Sequence, residues 1–204
     1  MNKTPTHTAS AAESLRILLI DDLSGRAAIL EQALSDAGHS IIARLGSTLD
    51  LPRQVQALQP DVVIIDLDSP DRDTLENMAI VSRDNPRPII MFSAQDDSDT
   101  IQQAVRAGVS AYVVDGLSSK RVRPIIDVAI ARFREFQAMR KELEKTRDQL
   151  SERKLVERAK GLLMKQRGFD EEEAYNAMRK MAMERNQRLV QIAQNVIDIF
   201  EMLG

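Results

Sequence analysis

Four of the five short apolar runs before residue 117 carry almost no polar position, so a sheet built from them must be covered on both faces. The runs are Ile17–Ile20, Ile41–Ala43, Val62–Ile65, Ile89–Phe92 and Tyr112–Val114. Each is of strand length and rich in β-branched residues. Amphipathic segments at Arg26–Ala37, Pro52–Leu58, Asp73–Arg83 and Ser98–Ala107 separate them and predict helices. Gly38 and Gly108 follow two of these segments, where a helix ends in a left-handed residue. The alternation predicts a doubly wound, five-stranded parallel sheet, with its site at the carboxyl ends of the strands.

After Pro124 the pattern changes, and neither Gly nor Pro occurs from Ile125 to Lys160. Phe136, Met139, Leu143, Thr146 and Leu150 recur three and four apart on an otherwise charged background. That seam is expected to zip two copies into a coiled coil, although a solvated surface helix would show the same narrow edge. A small all-α domain follows. Asp170 is expected to cap a helix whose first turn is Glu171, Glu172 and Glu173. Ala174, Met178, Met181 and Ala182 form its apolar face, and a third helix starting near Asn186 carries Leu189, Ile192, Val196, Ile199 and Phe200. The expected division is a disordered tail at 1–13, an α/β domain at 14–123, a linker helix at 124–146 and a three-helix domain at 147–204.

Composition narrows the chemistry. The chain has no Cys, which excludes disulfides, thiolate metal sites and Cys nucleophiles. Its two histidines, His7 and His39, have no neighbouring metal-ligand companion in sequence. A formal net charge of −3 gives no global attraction to nucleic acid, so any such binding must come from a local patch. No apolar run approaches the ~20 residues that span a membrane, and the opening MNKTPTHTASAAES lacks the apolar core of a signal peptide. A cytoplasmic protein is expected.

On the predicted sheet, the strand ends bring Asp21 and Asp22, Asp66, Ser93 and Asp115 to one edge. Clustered carboxylates repel unless a cation sits among them. Hard oxygen ligands on a shallow edge suit Mg²⁺, which binds through one or two carboxylates and keeps several waters. A carboxylate there can also act as a nucleophile towards phosphorus. The plain alternative, that Asp is a common turn residue after a strand, accounts for Asp68 and Asp71 but poorly for the others together.

The segments ILLIDD, VVIIDLDSP, PIIMFSA and AGVSAYVV resemble the receiver domain of two-component response regulators. The resemblance implies a flavodoxin-like fold and Asp66 as the phosphoacceptor. Asp21, Asp22, Asp66 and the backbone carbonyl of Asp68 would hold Mg²⁺, Ser93 would be the switch hydroxyl, and Tyr112 the aromatic whose rotamer reports the switch. One position departs: receivers follow the fifth strand with Lys-Pro, and this chain has Asp115-Gly116. An Asp ~5 Å from one unit of phosphoryl charge costs ~3 kcal/mol at an effective dielectric of 20. This weakens phosphorylation as the obligatory trigger more than it weakens metal binding.

Between Arg153 and Arg167 lie Arg153, Lys154, Arg158, Lys160, Lys165 and Arg167, opposed only by Glu157. Charge runs are usually solvated faces. Here, however, Arg153, Ala159-Lys160-Gly161, Leu163-Met164, Ala174-Tyr175, Met178-Arg179, Ala182-Met183, Leu189 and Ala193 resemble the ANTAR domain, an RNA-binding module of transcription antiterminators. The resemblance implies binding to paired hairpins in an mRNA leader, blocking an overlapping terminator. Gly161 is expected to allow close helix packing. A receiver, a coiled linker and an ANTAR domain make up the layout of the nitrate-assimilation antiterminators, which the chain resembles most, with the amidase type next. That implies control by a nitrate-sensing protein partner, a homodimer through the coiled coil, and no enzymatic role.

Two other functions compete. A DNA-binding two-component response regulator would want basic donors on its last helix, and Leu189–Leu203 has no Lys or Arg. A phosphorelay component needs an exposed phosphotransfer His, and none occurs after His39.

Overall fold

In the computed structural model, the described residues are 14–21, 24–114 and 119–203. The expected tail at 1–13, Asp22 and Asp115 lie outside them. The described residues divide into two compact units, one running to Phe136 and one beginning at Gln137.

The first unit alternates strand and helix: β1 (Arg16–Asp21), α1 (Ser24–Asp36), β2 (Ser40–Leu45), α2 (Leu51–Leu58), β3 (Val62–Asp66), α3 (Arg72–Asp84), β4 (Ile89–Ser93), α4 (Ser98–Arg106), β5 (Ala111–Val114) and the start of α5 (Ser119–Arg167). The strands form one parallel sheet in the order β2-β1-β3-β4-β5. Alternate residues of each central strand serve opposite faces. Leu18, Ile20, Val63, Ile65, Ile89 and Met91 pack with Leu51 and Val55 of α2, Met78 and Val81 of α3 and Ala104 of α4. Ile17, Leu19, Val62, Ile64, Ile90 and Phe92 pack with Leu30 and Leu34 of α1 and with Val122, Ile126 and Ala129 of α5. Both faces are buried, which is why these strands show no polar alternation. Each fully buried Ile or Leu contributes about 1.5–3 kcal/mol of transfer free energy.

Local chemistry ends the helices where expected. Gly38 and Gly108 have φ of 82° and 97°. A Cβ on Gly108 would lie 2.2 Å from the Ser82 hydroxyl, so conformation and space both demand glycine there. Asp71 caps α3 by accepting the Thr74 N–H at 2.7 Å, and the Thr74 side chain, then its N–H, hold the Asp71 carboxyl below the usual range. Asp71 is thus structural.

The linker differs from expectation. α5 begins at Ser119, before Pro124, and runs without interruption to Arg167. Burial of Val122 and Ile126 on either side of Pro124 anchors that first stretch, which offsets the backbone donor that proline lacks.

In the second unit, the end of α5 packs with α6 (Glu171–Arg185) and α7 (Leu189–Leu203). Ala159, Leu163, Ala174, Met178, Ile192, Ala193, Val196 and Ile197 form its core. Asp170 makes a full capping box with Glu173. Asn186 ends α6 in a left-handed conformation, φ 50°, and α7 starts at Leu189 rather than near Asn186. Ile199 is 55% exposed, and Phe200 is half-buried against the core.

Candidate functional site

β1 and β3 pair in register, so Asp21 lies beside Asp66. Their side chains leave the sheet on the same side. Both are buried, Asp66 with 1% and Asp21 with 4% exposure. Carboxylates ~5 Å apart, about the spacing of neighbouring strands, repel by roughly 3 kcal/mol at an effective dielectric of 20. A cation reduces that cost. The structure supplies one that the sequence reading had missed: Arg44 on β2 forms an ion pair with Asp21 at 3.4 Å.

Ser93 ends β4, and its Oγ donates to the Asp68 carbonyl at 2.9 Å while accepting the Gln95 N–H at 3.2 Å. The Tyr112 hydroxyl donates to the Gln95 carbonyl at 3.0 Å. Ser93 and Tyr112 are thus joined through one residue, Gln95, in the loop after β4. Among the described residues no three carboxylate or imidazole side chains gather as a metal cage. Two buried carboxylates of neighbouring strands remain a donor set that fits Mg²⁺, which needs no more from a protein.

In the helical unit the six basic residues separate into two groups. Lys160 is only 8% exposed and pairs with Glu171 at 2.7 Å and Glu157 at 2.9 Å. Glu171, then Glu157, holds its ammonium above the ordinary Lys range, and Lys160 in turn holds Glu171 below the ordinary Glu range. Arg158 pairs with Glu201 of α7. Arg153, Lys154, Lys165 and Arg167 are exposed and make no ion pair among the described residues. Among the described residues the six are thus four cations without an ion pair, one paired cation at the surface and one buried tie between α5 and α6. The sequence hinted at that tie only through the three glutamates at the start of α6.

Gly161 also departs from expectation. It is exposed, and a Cβ built on it meets nothing within 4 Å, so among the described residues it does not serve close packing of helices. A glycine inside a helix costs about 1 kcal/mol relative to alanine.

Beside these helices, Leu150, Arg153, Val156, Tyr175, Arg188 and Leu189 help line a groove of about 990 Å³. Phe136, Met139, Leu143 and Leu150 of the seam are each more than half exposed.

Residues 17–127 match the model of the response regulator receiver domain, and residues 144–197 match that of the ANTAR domain. The chain belongs to the response regulators that join a receiver to an ANTAR domain. This receiver–ANTAR regulator is 31% identical over 194 residues to the transcriptional regulatory protein PdtaR of Mycobacterium tuberculosis, covering 95% of each chain. It is 36% identical over 85 residues to the nitrate regulatory protein of Klebsiella oxytoca, covering 42% of this chain and 22% of that one. The signal receiver domain of a modulated diguanylate cyclase from Desulfovibrio desulfuricans G20 shares the receiver fold, with a TM-score of 0.52, 23% identity, and coverage of 60% of this chain and 98% of that one. A LuxR-family response regulator from Aurantimonas sp. SI85-9A1 shares it too, with a TM-score of 0.51, 24% identity, and coverage of 58% and 86%. No described helix of the regulator is long and apolar enough to cross a membrane.

Proposed function

We propose that this regulator is a transcription antiterminator that binds hairpins in an mRNA leader through α5–α7, under control of its receiver. The observation that carries the reading is the exposed set Arg153, Lys154, Lys165 and Arg167, which makes no ion pair among the described residues, in a unit matching the ANTAR model. Cations already paired within the protein gain less from a phosphate. Free ones release counterions on binding and give affinity that falls with salt. The exposed seam at Met139, Leu143 and Leu150 supports a homodimer that would grip two hairpins.

At the receiver, Asp66 would be the phosphoacceptor, and Asp21, Asp22, Asp66 and the Asp68 carbonyl would hold Mg²⁺. When bound, the ion would neutralise the oxygens of a transferring phosphoryl group. Ser93 would leave the Asp68 carbonyl for a phosphoryl oxygen, and its loss from Gln95 would loosen the hold on Tyr112. Asp115, standing where receivers carry Lys, argues against long phosphate retention and for control by a protein partner. The likeness to the Klebsiella nitrate regulatory protein supports a nitrate-sensing partner and a nitrate-assimilation leader as the first to test.

Gel shifts of the full chain against a two-hairpin leader RNA and the matching DNA duplex test the reading. Preference for RNA supports it, and preference for the duplex would favour a DNA-binding response regulator. On α7, Ile192, Ala193, Val196 and Ile197 are buried and no residue is basic, which leaves little for a recognition helix.

A further inference from the structure

Gly161 sits inside α5, where glycine is the poorest helix former after proline. The usual reason to keep one there is a neighbour that approaches too closely for a side chain. No such neighbour exists among the described residues, because a Cβ on Gly161 meets nothing within 4 Å. The neighbour must then come from outside.

Helical spacing shows what surrounds this bare stretch of main chain. Arg158 is three residues before Gly161, Lys165 four after and Lys154 seven before, so all three share its side of the helix. All three are exposed, and Lys154 and Lys165 make no ion pair among the described residues. The core side of α5 is elsewhere, at Ala159 and Leu163. Glu157, four residues before Gly161, lies on this side too, paired with Lys160, and Arg158 is paired with Glu201, so Gly161 is a gap in a stripe whose unpaired charges among the described residues are Lys154 and Lys165.

We propose that the sugar–phosphate backbone of an RNA hairpin packs directly on the α5 main chain at Gly161, with Lys154 and Lys165 on the flanking phosphates. The inference rests on the RNA reading and deepens it by placing the contact. A second copy of α5 could also use a bare stretch for close crossing. Charge disfavours it, since the one carboxylate on this side of α5, Glu157, is already paired with Lys160 at 2.9 Å, which leaves Lys154 and Lys165 of two copies to face each other without a counter-charge.

The test uses the full chain and a fluorescein-labelled RNA of two hairpins, enriched on the wild-type chain from a randomised-loop library. Gly161→Ala should weaken RNA binding at least tenfold in anisotropy titrations, and Gly161→Ser should do the same. The alanine variant should melt no lower than wild type, and its sedimentation should show an unchanged oligomeric state. Affinity within twofold of wild type would overturn the contact, and so would a loss of binding that merely tracks a loss of dimer. If the wild-type chain enriches no RNA at all, the RNA reading itself fails, which is a distinct result.

Discussion

The guanidinium of Arg44 stands between two carboxylates, with Nη2 3.4 Å from Asp21 Oδ2 and Nη1 3.4 Å from Glu31 Oε1. The Asp21 side chain is fully buried, whereas Glu31 is 42% exposed. Arg44 thus neutralises part of the acidic edge from the β2 side of the sheet, opposite the position where receivers place their Lys. A divalent ion at Asp21 must compete with it. Arg44 is itself 42% exposed, so the pair is worth no more than about 1 kcal/mol. Arg44→Ala should therefore tighten Mg²⁺ binding by up to about fivefold in calorimetric titrations. It should also lower the melting temperature in EDTA. Weaker Mg²⁺ binding would show that Arg44 supports the ion site.

Asp66→Asn removes one of two adjoining buried charges while keeping the side-chain shape. Labelling by acetyl phosphate should disappear. Thermal stability in EDTA should rise, by no more than roughly the 3 kcal/mol of repulsion. If a protein partner holds the trigger, RNA affinity should stay within a factor of about two of wild type; a greater loss would make phosphorylation obligatory.

Lys160 and the free cations should separate in mutagenesis. Lys160→Ala breaks the tie from α5 to Glu171 at the start of α6, so the melting temperature should fall and RNA affinity should fall with it. The double variant Lys154→Ala, Lys165→Ala touches no ion pair among the described residues and should melt like wild type. Its plot of log affinity against log salt should be shallower by about 1.4, two phosphates at ~0.7 each. Equal slopes would remove those lysines from the interface.

His39 supplies a pH dependence. Its Nδ1 accepts the Leu15 N–H at 3.4 Å, which only the neutral ring can do. Burial lowers its pKa, Arg123 assists, and Asp127 opposes. A folded pKa below the unfolded value of ~6.5 means that stability is present above pH ~6.5 and is lost as pH falls through the folded pKa. Melting temperature should drop between about pH 7 and 5 more steeply for wild type than for His39→Gln. Parallel curves would contradict this.

The sheet was legible because its signal is local. Runs such as Val62–Ile65 are apolar throughout since both faces are covered, and β-branched strands joined by helices leave one economical topology. The acidic edge followed from the same logic, because Asp21 and Asp66 each close a run. What escaped depends on contacts distant in sequence. Arg44 reaches Asp21 only because β2 pairs with β1 through a register shift between Ile17 and Leu18, which no local pattern encodes. The ion pair of Lys160 was not legible because its partner, Glu171, lies across the turn at Gly168. Gly161 read as a packing glycine because sequence identifies the residue but not the space beside it.

The most direct test is the affinity of the full chain for a two-hairpin leader RNA and for the matching DNA duplex, measured from low to moderate salt. RNA should bind more tightly, with a slope of about −3 per protomer for four phosphate contacts at ~0.7 each. Duplex preference, or RNA affinity that does not change with salt, would contradict the assignment of α5–α7 as the RNA-binding unit.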